Sequence, residues 1–204
     1  MKEQTFIPLA KNYCSDIELI NSLWNEIETK YSEPHRHYHT LAHLNFLLAR
    51  LQEVKTQIAD WDTILFSVFY HDIVYSTTAN DNEEKSAELA AQRLKQIGFP
   101  ENKIKECHSK ILETKGHTVT NNKDTDLFTD ADLAILGGDE ASYMLYAKQI
   151  RNEYIQYADA IYNEGRKKVL QHFLNMDRIY KNEYFFRTFE SAARRNLQTE
   201  INSL

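Results

Sequence analysis

With 204 residues, 42% of them hydrophobic and 26% charged, the chain has the composition of an ordinary soluble globular protein, long enough for one sizeable core. A formal charge of −6 argues against an electrostatic footprint for duplex DNA or for an anionic membrane surface. Five Gly and three Pro are too few turn formers for an all-β fold, and Cys14 and Cys107 show neither metal-pair spacing nor a disulfide framework.

The opening "MKEQTFIPLAKNYC" contains no apolar h-region, and no apolar run approaches the roughly 20 residues that span a bilayer. A reducing, cytoplasmic compartment is therefore expected. Ser15-Asp16-Ile17-Glu18 has the form of a capping box, and Ile20, Leu23, Trp24, Ile27 and Tyr31 follow at helical intervals. After the polar break "SEPHRHYH", a second helix is predicted over about 39–55, with Leu44, Leu47, Leu48, Leu51 and Val54 inside. The next carries Trp61, Ile64, Leu65, Val68 and Phe69 on one face and runs into "FYHDIVY", with Asp72 on the same stripe.

"STTANDN" reads as a loop. A helix then spans about Glu83 to Ile97 and stops at Gly98, with Pro100 two residues on. Ile104, Cys107, Ile111 and Leu112 mark another, which breaks in "KGHTVTNNKD". A short helix carries "DLFTDADLAIL" into Gly137-Gly138, and further helical segments run to the last, with Phe185, Phe186, Phe189, Ala193 and Leu197. No linker, repeat or low-complexity tract interrupts them. The expected architecture is an all-α, single-domain helical bundle over residues 1–204.

The chemistry-bearing residues cluster. Four histidines, His35, His37, His39 and His43, fall within nine residues, and His39 and His43 share a face if both are helical. Imidazoles so spaced can approach one ion, or can simply belong to a solvated helix start. An ionised Asp72 at the end of an apolar stripe needs a partner. Asp130 and Asp132 enter an equally apolar segment, where Asp130 could act as a cap and Asp132 is flanked by apolar residues on both sides. One divalent cation would neutralise several such groups together.

"H…HD…D", as His39 or His43, then His71-Asp72, then Asp132, resembles the signature of the HD-domain superfamily of helical, metal-dependent phosphohydrolases. "EPHRHYHTLAHL", "NEEKSAELA", "DADLAILGG", "IRNEYIQY", "GRKKVLQHFL" and "ESAARRNLQTE" are similar to successive blocks of a bacterial subfamily described as predicted HD phosphohydrolases, over roughly residues 31–200. The resemblance implies a metal-site core at about 31–140, C-terminal helices at about 140–204, and His43, His71, Asp72 and Asp132 as metal ligands. His43 is favoured over His39 because Leu44, Leu47, Leu48 and Leu51 follow it at the family's apolar positions; Asp132 is favoured over Asp130 because an apolar residue follows it directly.

Mixed nitrogen and oxygen ligands suit Mn, Fe, Co, Ni or Zn better than Mg. A bound cation lowers the pKa of its water toward neutrality, so the implied reaction is hydrolysis of a phosphomonoester or phosphodiester in a small metabolite or nucleotide by hydroxide on the metal. His39, Glu83 and His117 are candidates for proton transfer or further metal contact, and Arg36, Arg151 and Arg166 for phosphate clamps. No motif points to a nucleic-acid partner, and no G-x-x-x-x-G-K-[ST] loop points to NTP-driven chemistry. Two other classes stay open: a non-catalytic metal- or nucleotide-binding module, and a di-iron oxygenase using the surplus histidines. Oligomeric state is not legible.

Overall fold

The computed structural model describes residues 1–204, the side chain of Lys2 excepted. Among the described residues the chain is all-α, with ten α-helices, short π- and 3₁₀-turns and no strand. No helix among them is long and apolar enough to cross a membrane. The helices group into two compact units, Met1–Thr118 and Val119–Leu204, so the division falls inside the stretch 31–140 that the sequence groups as one core.

The first unit holds α1 (Ile7–Lys11), α2 (Ile17–Lys30), α3 (Leu41–Glu53), α4 (Trp61–Tyr70), α5 (Asn82–Gln96) and α6 (Glu101–Glu113). Helix α4 is its axis. Every residue from Thr63 to Tyr70 is buried, against α3, α5 and α6, as befits a helix apolar nearly all round. Phe69 meets Phe6 edge-on at 5.1 Å, and Phe66 meets Phe99 at 4.8 Å.

Helix ends follow local chemistry. In α2 the cap is Asp16 rather than Ser15: the Asp16 carboxylate accepts the amides of Glu18 and Leu19, both at 3.0 Å, so the helix starts one residue later than the capping-box reading places it. At the end of α5, Gly98 takes φ +74°, its amide donates to Lys95, and that of Phe99 donates back to Leu94. That pattern with a buried Phe99 is a Schellman cap, which needs the glycine.

Asp60 caps α4. Its carboxylate accepts the Thr63 amide (3.2 Å) and hydroxyl (2.7 Å) and pairs with Lys103 from α6 at 3.0 Å. Burial pushes this carboxyl up, but Thr63 and Lys103 outweigh it and hold it below the ordinary value. A lowered carboxyl contributes stability above its unfolded pKa, about 3.9, and loses that contribution as pH falls through the folded value. Asp60→Ala should cost about 1–2 kcal/mol at pH 7, and the gap to wild type should close on acidification below about pH 4, as read by urea denaturation.

The second unit holds α7 (Lys123–Asp132), α8 (Glu140–Glu153), α9 (Asp159–Leu174) and α10 (Glu183–Ser203). Helix α7 tightens into a 3₁₀ turn, Leu133–Gly137, that lies against α10. A Cβ on Gly137 would stand 2.6 Å from Cβ and O of Phe189, so only glycine allows this approach. The Asn196 amide donates to the carbonyls of Leu136 and Gly138, both at 2.9 Å, and Arg166 grips Glu200 at 2.7 and 3.0 Å, joining α9 to α10. Phe185, Phe189, Ala193 and Leu197 form the buried stripe of α10.

Candidate metal centre

Two elements of the first unit converge on His71-Asp72. Helix α4 ends at Tyr70 with His71 as its C-cap, so Asp72 lies in the turn beyond it and not on the apolar stripe that helical spacing would extend to it. Its carboxylate is about one-fifth exposed rather than sealed in the core. Helix α3 begins at Leu41 behind the Thr40 cap, which puts His43 in its first turn, buried, and leaves His39 before the helix, about one-fifth exposed. The two histidines still meet, with ring centroids 5.8 Å apart.

His71 Nδ1 lies 3.0 Å from the Val68 carbonyl, which can only accept, so this nitrogen carries the proton. Nε2 of the neutral ring is then a lone-pair donor aimed at its neighbours. It stands 2.9 Å from Asp72 Oδ2 and 3.1 Å from His43 Nε2, and Asp72 Oδ2 is 3.8 Å from His43 Nε2 and 4.0 Å from His39 Nε2. Lone pairs converging at such distances repel unless a cation lies among them, either a proton or a metal ion. Donors about 2.0–2.2 Å from one ion stand roughly 3.0–3.5 Å from each other; the two imidazole nitrogens at 3.1 Å are in that range, His71 to Asp72 at 2.9 Å is just below it and His43 to Asp72 at 3.8 Å just above it. Burial pushes the Asp72 carboxyl upward, but the neighbouring imidazoles, His71 first and then His39 and His43, outweigh it and hold it well below the usual carboxylate range. The donor chemistry of His43, His71 and Asp72 fits a divalent ion.

The turn is braced from behind, by residues whose part the sequence does not announce. Arg36 is buried, and its guanidinium donates to the carbonyls of Asp72 (2.7 Å), Ile73 (3.0 Å) and His39 (3.3 Å) and to the Glu33 carboxylate (3.3 Å). The Asp72 amide donates to the Tyr31 hydroxyl at 3.2 Å, and Ser86 of α5 receives the Val74 amide at 3.1 Å. The Tyr75 ring leans on His39 at 4.4 Å and Tyr38 on His43 at 4.8 Å. Tyr75 sits within "FYHDIVY", where a reading centred on the His-Asp pair passes over it.

Arg36 is thus committed to the protein's own carbonyls and is no phosphate clamp as folded. Lysine in its place keeps the charge but cannot span three carbonyls. Arg36→Lys should therefore loosen the turn and weaken metal binding by about 10–100-fold, the usual cost of losing an outer support, with the ion titrated calorimetrically.

In the second unit, Arg151 donates to the carbonyls of Tyr154 and Tyr157 and to Asp159, and Arg166 is buried against Glu200 and Tyr146. Both join parts of their own unit. Glu83 opens α5 and faces Lys115 at 3.6 Å, while Glu84 takes the same ammonium at 2.6 Å. His117 follows α6 in a left-handed conformation, φ +51°, its amide donating to Glu113.

The two aspartates of "DADL" separate cleanly. Asp130 is fully buried and accepts the amides of Lys181 (3.0 Å) and Asn182 (2.7 Å) and the Lys181 ammonium (3.1 Å). It caps no helix: it holds the chain just ahead of α10, whose own cap is the Asn182 side chain accepting the Tyr184 amide, while Asn122 caps α7. Asp132 closes α7, only partly buried. Comparison with family models, with curated proteins and with solved structures yields no match.

Proposed function

We propose that this chain is a cytoplasmic, metal-dependent phosphohydrolase of the HD type, cleaving a phosphomonoester or phosphodiester bond in a small metabolite or nucleotide. His43, His71, Asp72 and Asp132 are proposed to hold the divalent ion. The observation that carries this reading is the convergence of His71 Nε2, His43 Nε2 and the Asp72 carboxylate within 2.9–3.8 Å, with His71 locked by Val68 in the tautomer that ligation requires. Asp132 joins the set by its place in the HD-like pattern and because Asp130 is already fully used.

When bound, a divalent ion supplies Lewis acidity toward a phosphoryl oxygen and acidifies its water. The chain's own residues do the rest. The Val68 carbonyl orients His71, and Arg36 and Tyr31 hold the Asp72 backbone in place. His39, partly exposed and 4.0 Å from the Asp72 carboxylate, is suited to move a proton to the leaving oxygen or, when protonated, to pair with an anionic substrate.

The test is metal analysis of the purified protein, followed by phosphate release across nucleotides and sugar phosphates, with Asp72→Ala as the blank. Equal release by both proteins would remove the hydrolase reading from this site. Tight metal binding without turnover on any divalent ion would favour a binding module, and iron content with oxygen consumption an oxygenase.

A further inference from the structure

Helix α6 carries a buried ammonium that the fold leaves without a hydrogen bond. The Lys110 side chain is 1% exposed, and its one ionic partner among the described residues is the Glu106 carboxylate, 3.9 Å away on the half-exposed side of the helix. The other buried cations, Arg36, Arg166 and Lys181, each donate to an oxygen at 3.1 Å or closer. A buried charge without such a bond is costly, so Lys110 calls for an anion.

Its place in the fold says which one. Helices α4 and α6 pack side by side and run the same way: Asp60 pairs with Lys103 at 3.0 Å near their starts, and Ser67 Oγ meets Cys107 Sγ at 3.4 Å farther on. Lys110 follows Lys103 by two turns on one face of α6, and His71 follows Ser67 by one turn on α4. Past the Ser67–Cys107 contact, His71 and Lys110 thus stand about 6 and 4.5 Å farther along their axes. Burial pushes the Cys107 thiol up to about 12, while the Ser67 hydroxyl and then the Lys110 charge pull it down, which sets the ammonium close to the α4 side. Helix α5 lies on the other flank, where Lys115 takes Glu83 and Glu84. A fixed positive charge beside His71 works against a second cation there and favours an anion that both can share.

We propose that Lys110 binds the phosphoryl group at the metal centre, its ammonium donating to a non-bridging oxygen; the proposal rests on the phosphohydrolase reading above. Calorimetric titration of inorganic phosphate into the metal-loaded full chain reads this contact without turnover. Lys110→Met, of similar length and uncharged, should keep its metal, melt no lower than the wild type and bind phosphate at least about tenfold more weakly. A lysine that serves only the fold predicts the reverse, a lower melting temperature with unchanged phosphate affinity. Should the methionine variant fail to fold, Lys110→Gln is read in its place. Unchanged phosphate affinity, loss of the metal from the variant, or a wild type that binds no phosphate up to about 10 mM each overturns the proposal. Phosphate release from substrates is scored separately: release by the wild type and by Lys110→Met with equal KM removes Lys110 and leaves the hydrolase reading standing. Phosphate binding that depends on Lys110 without any turnover keeps the anion site and removes the hydrolase.

Discussion

Asp72→Ala should leave the fold intact while abolishing metal retention and, with it, phosphate release. The backbone of the turn does not depend on the side chain: the Asp72 amide is held by Tyr31, and its carbonyl and that of Ile73 by Arg36. Truncation therefore removes the carboxylate and little else. In the first unit this leaves His43 and His71 with nitrogens 3.1 Å apart, and of the proposed ligands one carboxylate fewer offsets a divalent charge. Loss of an outer support alone costs about 10–100-fold in metal affinity, so loss of a ligand should cost at least about a hundredfold. Asp72→Asn keeps an oxygen donor and gives up the charge, and should fall between wild type and alanine. Metal stoichiometry after dialysis and phosphate release by the same samples, with circular dichroism as the fold control, check the whole series. An Asp72→Ala protein that holds its metal at full stoichiometry would move the ion to other residues.

Much of the fold is legible because helices advertise themselves. The apolar spacing of α4 and α10, the glycine and proline after α5, and the Leu44, Leu47 and Leu51 stripe of α3 all reappear as buried faces or caps. Periodicity fails where a helix ends, since it says nothing of where the ladder stops. Asp72 shares the spacing of Leu65 and Val68, yet the chain turns at His71, and the carboxylate emerges partly exposed. The same blindness places His39 on the helix of His43, although the extended Thr40 cap separates them.

The candidate ligand types are legible because imidazoles and carboxylates in apolar surroundings call for a counter-charge. Their supports are not. Whether an arginine faces phosphate or braces a turn depends on which carbonyls the fold brings to it, and those partners lie 36 and 37 residues away for Arg36. Arg166 likewise meets Glu200 across 34 residues. Composition and spacing carry no record of such meetings, and an unpartnered arginine in a sequence reads as a free cation.

Asp130→Ala should be among the most destabilising single substitutions in the second unit, at about 3–5 kcal/mol by chemical denaturation. The carboxylate is fully buried and the Lys181 side chain only 5% exposed, so on truncation the ammonium keeps the Thr129 hydroxyl at 2.9 Å but loses its counter-charge, and the two amides just ahead of α10 lose their acceptor. The size of the loss does not mean that the cluster is a large net gain. Burial raises the Asp130 carboxyl above its ordinary value, although Lys181 and the amides of Asn182 and Lys181 pull it down, so ionisation is harder in the fold than in water. A raised acid favours folding below its unfolded pKa, about 3.9, and that contribution fades as pH rises through the folded value. The penalty of Asp130→Ala thus comes mainly from leaving Lys181 buried without a counter-charge, with only the Thr129 hydroxyl at 2.9 Å. Asp130→Leu combined with Lys181→Met removes both charges and should recover most of the stability, with the two amides as the residual cost. If the double variant is as unstable as Asp130→Ala, the amides and not the stranded ammonium account for the loss.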